Sequence, residues 1–202
     1  MFGVIWSPHK PLSAPSRIKR ARAHYEGDSE WNASPLPLSE MGSNPTYPAS
    51  RLNCDGEPVL YCAEAERTAV AEVRPGKGYL CTTCELALTD DIRVLDLAAP
   101  IQDLNPFTCS ELSWKLDVQR IGRNLGPLIA QPMSRGEDKL LYGRTQLVGL
   151  VVRAMGLKGV RFSSSLDSPL GINLALFDPA LVSFFSSRLV KVTKTELEYE
   201  SR

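Results

Sequence analysis

Short apolar runs cut off by turn residues constrain this chain more than any other feature. Pro58 to Cys62 (PVLYC) is one such run and reads as a buried strand. Glu64 to Arg74 (EAERTAVAEVR) spaces its apolar residues as a short helix does, and Pro75 and Gly76 end it. Tyr79 to Leu88 and Ile92 to Leu97 read as two strands joined by a turn at 89–91. Ser110 to Asn124 is expected to be helical, with Ser110 as N-cap and Gly126 as the stop. A second long helix is expected over Thr145 to Met155, with Thr145 as N-cap and Gly156 at its end. Gly159 to Ser163, Ile172 to Phe177 and Leu181 to Phe185 read as short strands, and Leu189 to Tyr199 as one more. Strands and helices do not alternate regularly. That order predicts an α+β fold, with a central mixed or antiparallel sheet and flanking helices.

A chain of 202 residues fits one domain with a sizeable core. Residues 1–16, rich in Pro and Ser, read as a loosely ordered arm, and 17–202 as a single domain. Between them and the first strand, residues 26–50 hold four prolines among Ser, Asn and Gly, a polar connection of a length that often carries function. No run reaches the roughly 18 apolar residues that span a bilayer, and no charged region precedes an apolar run at the start. With five cysteines, an odd number, this predicts reduced thiols and a cytoplasmic location without membrane attachment. Cys81 and Cys84 form a C-x-x-C inside a strand-like run, so their side chains point to opposite faces. No second pair matches them, and both histidines, His9 and His24, lie near the N-terminus; no metal site is expected.

Acids and bases balance at 23 each, which argues against a general nucleic-acid coat and makes direct nucleic-acid binding unexpected. Residues 1–25 nonetheless carry Lys10, Arg17, Lys19, Arg20 and Arg22 and no acid. Such a cluster suits a phosphate, on nucleic acid or on a nucleotide, or is a solvated basic arm. The Rossmann and P-loop glycine patterns are absent, as is H-E-x-x-H. What remains is a set of Arg, Glu, Tyr and Ser positions. Arg51 follows the long polar connection, where a planar guanidinium can grip a phosphate. Glu72 lies at the border of an alanine-rich helical stripe. Ser163, Ser164 and Ser165 follow the strand GVRF, and hydroxyls at a strand end can cup an anion or a ribose. Taken singly, each has a plain reading as a surface arginine, a helix-surface glutamate and a serine-rich turn.

Together they resemble a known pattern. The segment from Arg51 to Leu97, with Pro58, Leu60, Tyr61, Ala69 and Glu72, is similar to the RES-domain family, named for its arginine, glutamate and serine. A second block from Gln131 to Pro179 carries the family's Tyr–x–x–Thr–Gln helix start (Tyr142, Thr145, Gln146). It continues with the Gly–x–Arg–aromatic–x–Ser strand (Gly159, Arg161, Phe162, Ser164) and the Gly–x–Asn–x–x–x–Phe strand (Gly171, Asn173, Phe177). Arg20-Ala21-Arg22 supplies the N-terminal Arg–Ala–Arg, and the likeness runs over most of 17–179. Ser50 stands where the family usually has glycine, Phe162 where it often has tyrosine, and the C-x-x-C is not part of the pattern.

The resemblance implies a fold related to ADP-ribosyltransferases and a toxin-like enzyme that acts on NAD⁺ as substrate, with no prosthetic group. It implies cleavage of the nicotinamide–ribose bond, by hydrolysis or phosphorolysis. The alternative within the family is transfer of ADP-ribose to a cellular protein. A non-catalytic nucleotide- or nucleic-acid-binding module is the reading from another class. The resemblance also implies a helix-turn-helix antitoxin as partner, and a homodimer is compatible with it. On this reading Glu72 stabilises the ribosyl cation and Arg51 and Arg20 clamp the pyrophosphate, with Arg22 behind them. Tyr61 stacks on nicotinamide or bonds to ribose. Ser164, flanked by Ser163 and Ser165, holds the amide or a ribose hydroxyl, and Asn173 braces the serine loop.

Overall fold

Residues 9–14, 16–24, 34–99, 105, 107, 112–131, 139–167, 169 and 171–195 are described in a computed structural model. Strand β7 (Ile172–Leu176) sits inside the sheet and is apolar on both faces. Its side chains alternate, so Leu174 and Leu176 enter one core while Ala175 enters another. Around it lie β1 (His9–Leu12), β2 (Arg17–Ala23), β3 (Leu60–Ala63), β4 (Leu80–Leu88), β5 (Ile92–Asp96), β6 (Gly159–Ser163) and β8 (Val182–Lys191). They form one eight-stranded sheet in the order β1-β5-β6-β7-β3-β2-β4-β8. Only β5 and β6 pair in parallel, so the sheet is mixed and the fold is α+β, as the pattern of runs predicts. The first core gathers Ile18, Leu60, Leu86, Val94 and Met41 on one face. The second contains Leu52, Ile129, Val152, Val160 and Phe162, with Ile129 and Val152 coming from α2 (Leu112–Ala130) and α3 (Lys139–Ala154). Burying side chains of this size contributes roughly 1.5–3 kcal/mol apiece.

A third, smaller cluster positions the site. Helix α1 (Glu66–Glu72) lays Ala69 on Ala21 of β2 and Ala63 of β3. Three alanines let the helix approach the sheet closely. Beside it, β2 and β3 are joined by the single register pair Lys19↔Ala63. Beyond that pair the two strands diverge, and the guanidinium of Arg20 bridges the gap, its Nη1 donating to the Tyr61 carbonyl at 2.5 Å. The sheet therefore has a seam, and the seam is open on the side of α1.

Several boundaries differ from those the sequence suggests. His9–Leu12, expected within a loosely ordered arm, form edge strand β1 on β5; residues 1–8 lie outside the described set. Arg17–Ala23, unrecognised because four of its seven residues are Arg or Lys, is strand β2, fully paired with β4. Helix α2 passes Gly126 and Pro127 and ends at Ala130; Ser110, the expected N-cap, lies outside the described residues. Proline costs the helix one donor there, while its carbonyl still accepts from the Gln131 amide at 2.9 Å. Helix α3 begins at Lys139, so Thr145 is interior, not a cap, and its hydroxyl donates back to the Tyr142 carbonyl at 3.1 Å. The Tyr–x–x–Thr–Gln stretch accordingly lies within the helix and not at its start. The expected strand 181–185 and the start of the one expected over 189–199 form a single strand, β8, paired along its length with β4 and shifted by a bulge at Glu85/Leu86, while 192–195 are not strand and 196–199 lie outside the described residues. As an edge strand it keeps polar residues at 186–188 without losing its ladder.

No helix among the described residues is long and apolar enough to cross a membrane.

Candidate active site

A cavity of about 280 Å³ opens at the seam between β2 and β3. Its wall includes Arg20, Ser50, Arg51, Tyr61, Glu72, Tyr142, Phe162 and Asn173.

Glu72 is the last residue of α1, placed over the seam by the alanine contacts beneath that helix. Its Oε1 accepts two hydrogen bonds of 2.6 Å, one from the Ser164 hydroxyl and one from Asn173 Nδ2. No hydrogen bond falls on Oε2 among the described residues. Both donors are buried, at 5% exposure each. Ser164 Oγ in turn accepts from the amides of Leu166 and Asp167 at 3.1 and 3.2 Å. Its single proton and its lone pairs are thereby committed inside the protein. The loop that carries it is closed by Ser164 N to Gly171 O (2.8 Å) and Gly171 N to Asp167 O (2.7 Å). A Cβ on Gly171 would stand 2.6 Å from the Asp167 carbonyl, which is why only glycine fits. The same loop is tied to α1, because Asp167 accepts from Thr68 Oγ1 at 2.7 Å and pairs with Arg67 at 2.8 Å. The carboxylate and its two donors thus belong to one rigid unit.

Arg51 sits in a tight turn bracketed by Ser50 and Asn53, which form an isolated bridge. Its Nη1 donates to the Ile129 carbonyl in the last turn of α2 at 3.0 Å. Tyr61 turns its hydroxyl to this turn as well: it bonds Ser50 Oγ at 2.8 Å and accepts from the Leu52 amide at 3.1 Å. Burial raises the pKa of Tyr61, and the bonds to Ser50 and Leu52 oppose that rise. Ser50, in the place of a usual glycine, puts its hydroxyl to use by bonding both Tyr61 and Asn53 Oδ1.

Arg20 lines the cavity but is braced by three backbone carbonyls, Met41 (2.8 Å), Tyr61 (2.5 Å) and Gly42 (3.3 Å). Burial lowers its pKa, though a guanidinium stays charged at any physiological pH. Arg22 does not reach the cavity wall. Its Nη2 donates to the Gly42 carbonyl at 2.7 Å and its Nε is buried without a partner. Ser163 is exposed at the end of β6, and Ser165 donates to the Ala130 carbonyl at 2.6 Å; neither lines the cavity. Of the serine run, the structure brings only Ser164 to Glu72. Asn173, expected to brace the serine loop, braces Glu72 itself, and its Oδ1 is buried without a partner.

Four contributors carried no clear signal. Ser50 and Asn53 sit in a stretch that reads as an ordinary polar turn. Yet the Asn53 side chain is fully buried and gives Nδ2 to the carbonyls of Pro48, Cys54 and Glu57. Tyr142 and Gln146 were visible only as letters of a family pattern.

Cys81 and Cys84 are buried at 0% and 3% exposure, and among the described residues no group of three or more His, Cys, Asp or Glu could hold a metal. Burial pushes the Cys84 thiol up to about 11 and Cys62, in the cavity wall, up to about 12, from an ordinary 9.0. A thiol whose folded pKa is raised stabilises the fold below its unfolded pKa, and that contribution is lost as pH rises through the folded value. Stability should therefore fall between pH 9 and pH 11–12. The expected result is a urea midpoint that declines over this window, less steeply in Cys62→Ala than in the unaltered protein.

What the cavity can do follows from its groups. Two guanidinium groups favour an anion, and one carboxylate with a free oxygen favours developing positive charge. The model of the RES domain matches residues 15–199, nearly the whole chain. The chain belongs to the RES family. A likeness in fold reaches further. This RES protein superposes on a chain of the crystal structure of the M. tuberculosis MbcT–MbcA toxin–antitoxin complex with a TM-score of 0.53. The match covers 90% of this chain and 87% of that one at 15% identity, so what the two share is the fold. A search of curated proteins finds no match.

Proposed function

We propose that this RES protein cleaves the nicotinamide–ribose bond of NAD⁺, passing the ADP-ribosyl group to water or phosphate, and acts as a toxin. One observation carries the reading: a carboxylate oxygen clamped by two donors, with its other oxygen unengaged, in a cavity that also holds two arginines. In this reading the arginines meet the pyrophosphate, and the aromatic rings of Tyr61 and Tyr142 flank the nicotinamide. As the C–N bond breaks, its electron pair goes to the nicotinamide nitrogen, which leaves neutral and needs no acid. Positive charge spreads over the ribose, where Glu72 Oε2 stabilises it. The acceptor oxygen then closes on the ribose carbon and releases its proton. Ser164 and Asn173 act here by holding Glu72.

The test is incubation of the purified protein with NAD⁺, with and without phosphate, followed by product analysis. ADP-ribose or its phosphate with free nicotinamide supports the reading. Label transferred to a protein in lysate points to ADP-ribosylation instead, and NAD⁺ left intact in every condition sinks it. Arg51→Ala should raise KM about 10–100-fold, as expected for losing a charge-assisted hydrogen bond, with a smaller effect on kcat. Nucleic-acid binding is less well supported. Lys10 meets Glu64, Arg17 and Lys19 meet Glu85, and Arg22 meets the Gly42 carbonyl, so these basic residues are used within the fold, whereas Arg20 lines the cavity. Because the similar fold occurs in a toxin–antitoxin complex, the partner we propose is a protein antitoxin, expected to be of helix-turn-helix type and to block access to the seam.

A further inference from the structure

We infer that Gln146 is a positioning residue for Arg51, acting from α3 through the turn 50–53; the inference rests on the reading of Arg51 as an anion-binding group. Gln146 Nε2 donates to the carbonyls of Ser50 and Asn53, 3.1 Å each, and these are the residues that bracket Arg51 and Leu52. The Asn53 carbonyl also accepts the Ser50 amide at 3.1 Å, so one primary amide closes the mouth of the turn. One turn further along α3, Gly149 lies against the turn's far side. A Cβ there would stand 2.3 Å from the Leu52 carbonyl, a backbone atom that cannot swing away. From the opposite side Tyr61 receives the Leu52 amide. The turn is thus fixed at its mouth by Gln146, against Gly149 and at its Leu52 amide by Tyr61, and from it Arg51 extends to the Ile129 carbonyl.

This geometry assigns Gln146 a task that its position in the helix does not suggest. The bridge pairs the backbones of Ser50 and Asn53, Gln146 adds a side-chain donor to both of their carbonyls, and backbone acceptors deprived of donors inside a packed turn favour rearrangement. A shift of about 1 Å in a binding group is enough to weaken a bound geometry severely. Gln146 does not line the cavity, so its loss acts on a ligand only through the turn.

The experiment compares Gln146→Leu with the unaltered protein in two independent readouts. The first is hydrogen exchange at the amides of Ser50 and Leu52, which does not depend on any substrate. The second is NAD⁺ turnover. We expect faster exchange at both amides, a KM raised about tenfold, equivalent to one or two neutral hydrogen bonds, and kcat changed by less than about threefold. In Arg51→Ala the same change should add almost nothing to KM, since the two residues act as one unit. Gln146→Glu keeps the length but turns acceptors toward two carbonyls, and serves as the second variant if the leucine protein fails to fold. Unchanged exchange, a fall in kcat at constant KM, or additivity with Arg51→Ala overturns the assignment. If the unaltered protein consumes no NAD⁺, the proposed function fails, while faster exchange in the variant still upholds the fixing of the turn.

Discussion

Glu72→Gln should lower kcat about 10²–10³-fold while leaving KM and thermal stability close to those of the unaltered protein. The amide is nearly isosteric with the carboxylate, and its carbonyl oxygen can still accept from Ser164 and Asn173. Both 2.6 Å contacts therefore survive. What changes is the other end of the group, where a neutral amide nitrogen replaces the oxygen that faces the developing cation. An interaction made only in the transition state is removed, and its loss appears in kcat. Glu72→Ala makes the contrast. It leaves the buried Ser164 hydroxyl and Asn173 amide without an acceptor, so it should cost stability as well, about 1–3 kcal/mol for each unsatisfied group. A Glu72→Gln protein with kcat intact would remove the carboxylate from the mechanism.

Arg161→Leu should do the reverse, lowering stability by about 3–5 kcal/mol with little direct effect on chemistry. Arg161 projects from β6 on the face opposite Phe162. Its Nη1 donates to both oxygens of Asp96 at 2.9 and 3.2 Å, and Nε and Nη2 donate to Glu64 at 2.7 and 3.2 Å. The side chains of Arg161 and Asp96 are only 12% and 11% exposed, so this is a nearly buried pair. Burial alone would raise the Glu64 pKa; the bonds and charge of Arg161, with Lys10 beyond it, hold it below the ordinary value. Leucine fills the space but leaves Asp96 charged and unpaired. At about 2–4 °C per kcal/mol for a chain of this size, the melting temperature should drop by roughly 10 °C, as calorimetry would read directly. Arg161→Lys should fall between the two, since an ammonium cannot fork to two carboxylates. A melting temperature unmoved by the leucine change would show the network to be solvated and dispensable.

The elements with strong local signals were legible in the sequence. β6 lies where its apolar run and flanking glycine and serines put it, and β3, β4, β5 and β7 fall within a residue or two of expectation. β2 was not, because RIKRARA shows little apolar content; it is a strand on account of its partners, pairing along β4. The caps misled for a similar reason. Thr145 has the chemistry of an N-cap, yet the helix begins six residues earlier at Lys139, and the Thr145 hydroxyl bonds back to the Tyr142 carbonyl instead. Within the site, Arg51, Glu72 and Ser164 were identifiable as residues but not in their relations. That Ser164 is fully bonded to Glu72 and two amides, that the Tyr61 hydroxyl is engaged by the turn at Ser50 and Leu52, and that Arg22 falls outside the cavity wall are consequences of tertiary placement. No spacing along the chain encodes them.

The bonds that hold Glu72 reach across 92 residues to Ser164 and 101 to Asn173. During synthesis from the N-terminus, α1 emerges long before either donor exists. The strand order adds to this: β7, which carries Asn173 and borders β3, and β8, which covers β4, are the last two strands made. A partly made chain therefore has the carboxylate but nothing to aim it. On the proposed function, a growing chain cannot hold Glu72 in its working position until the segment through Asn173 has been made.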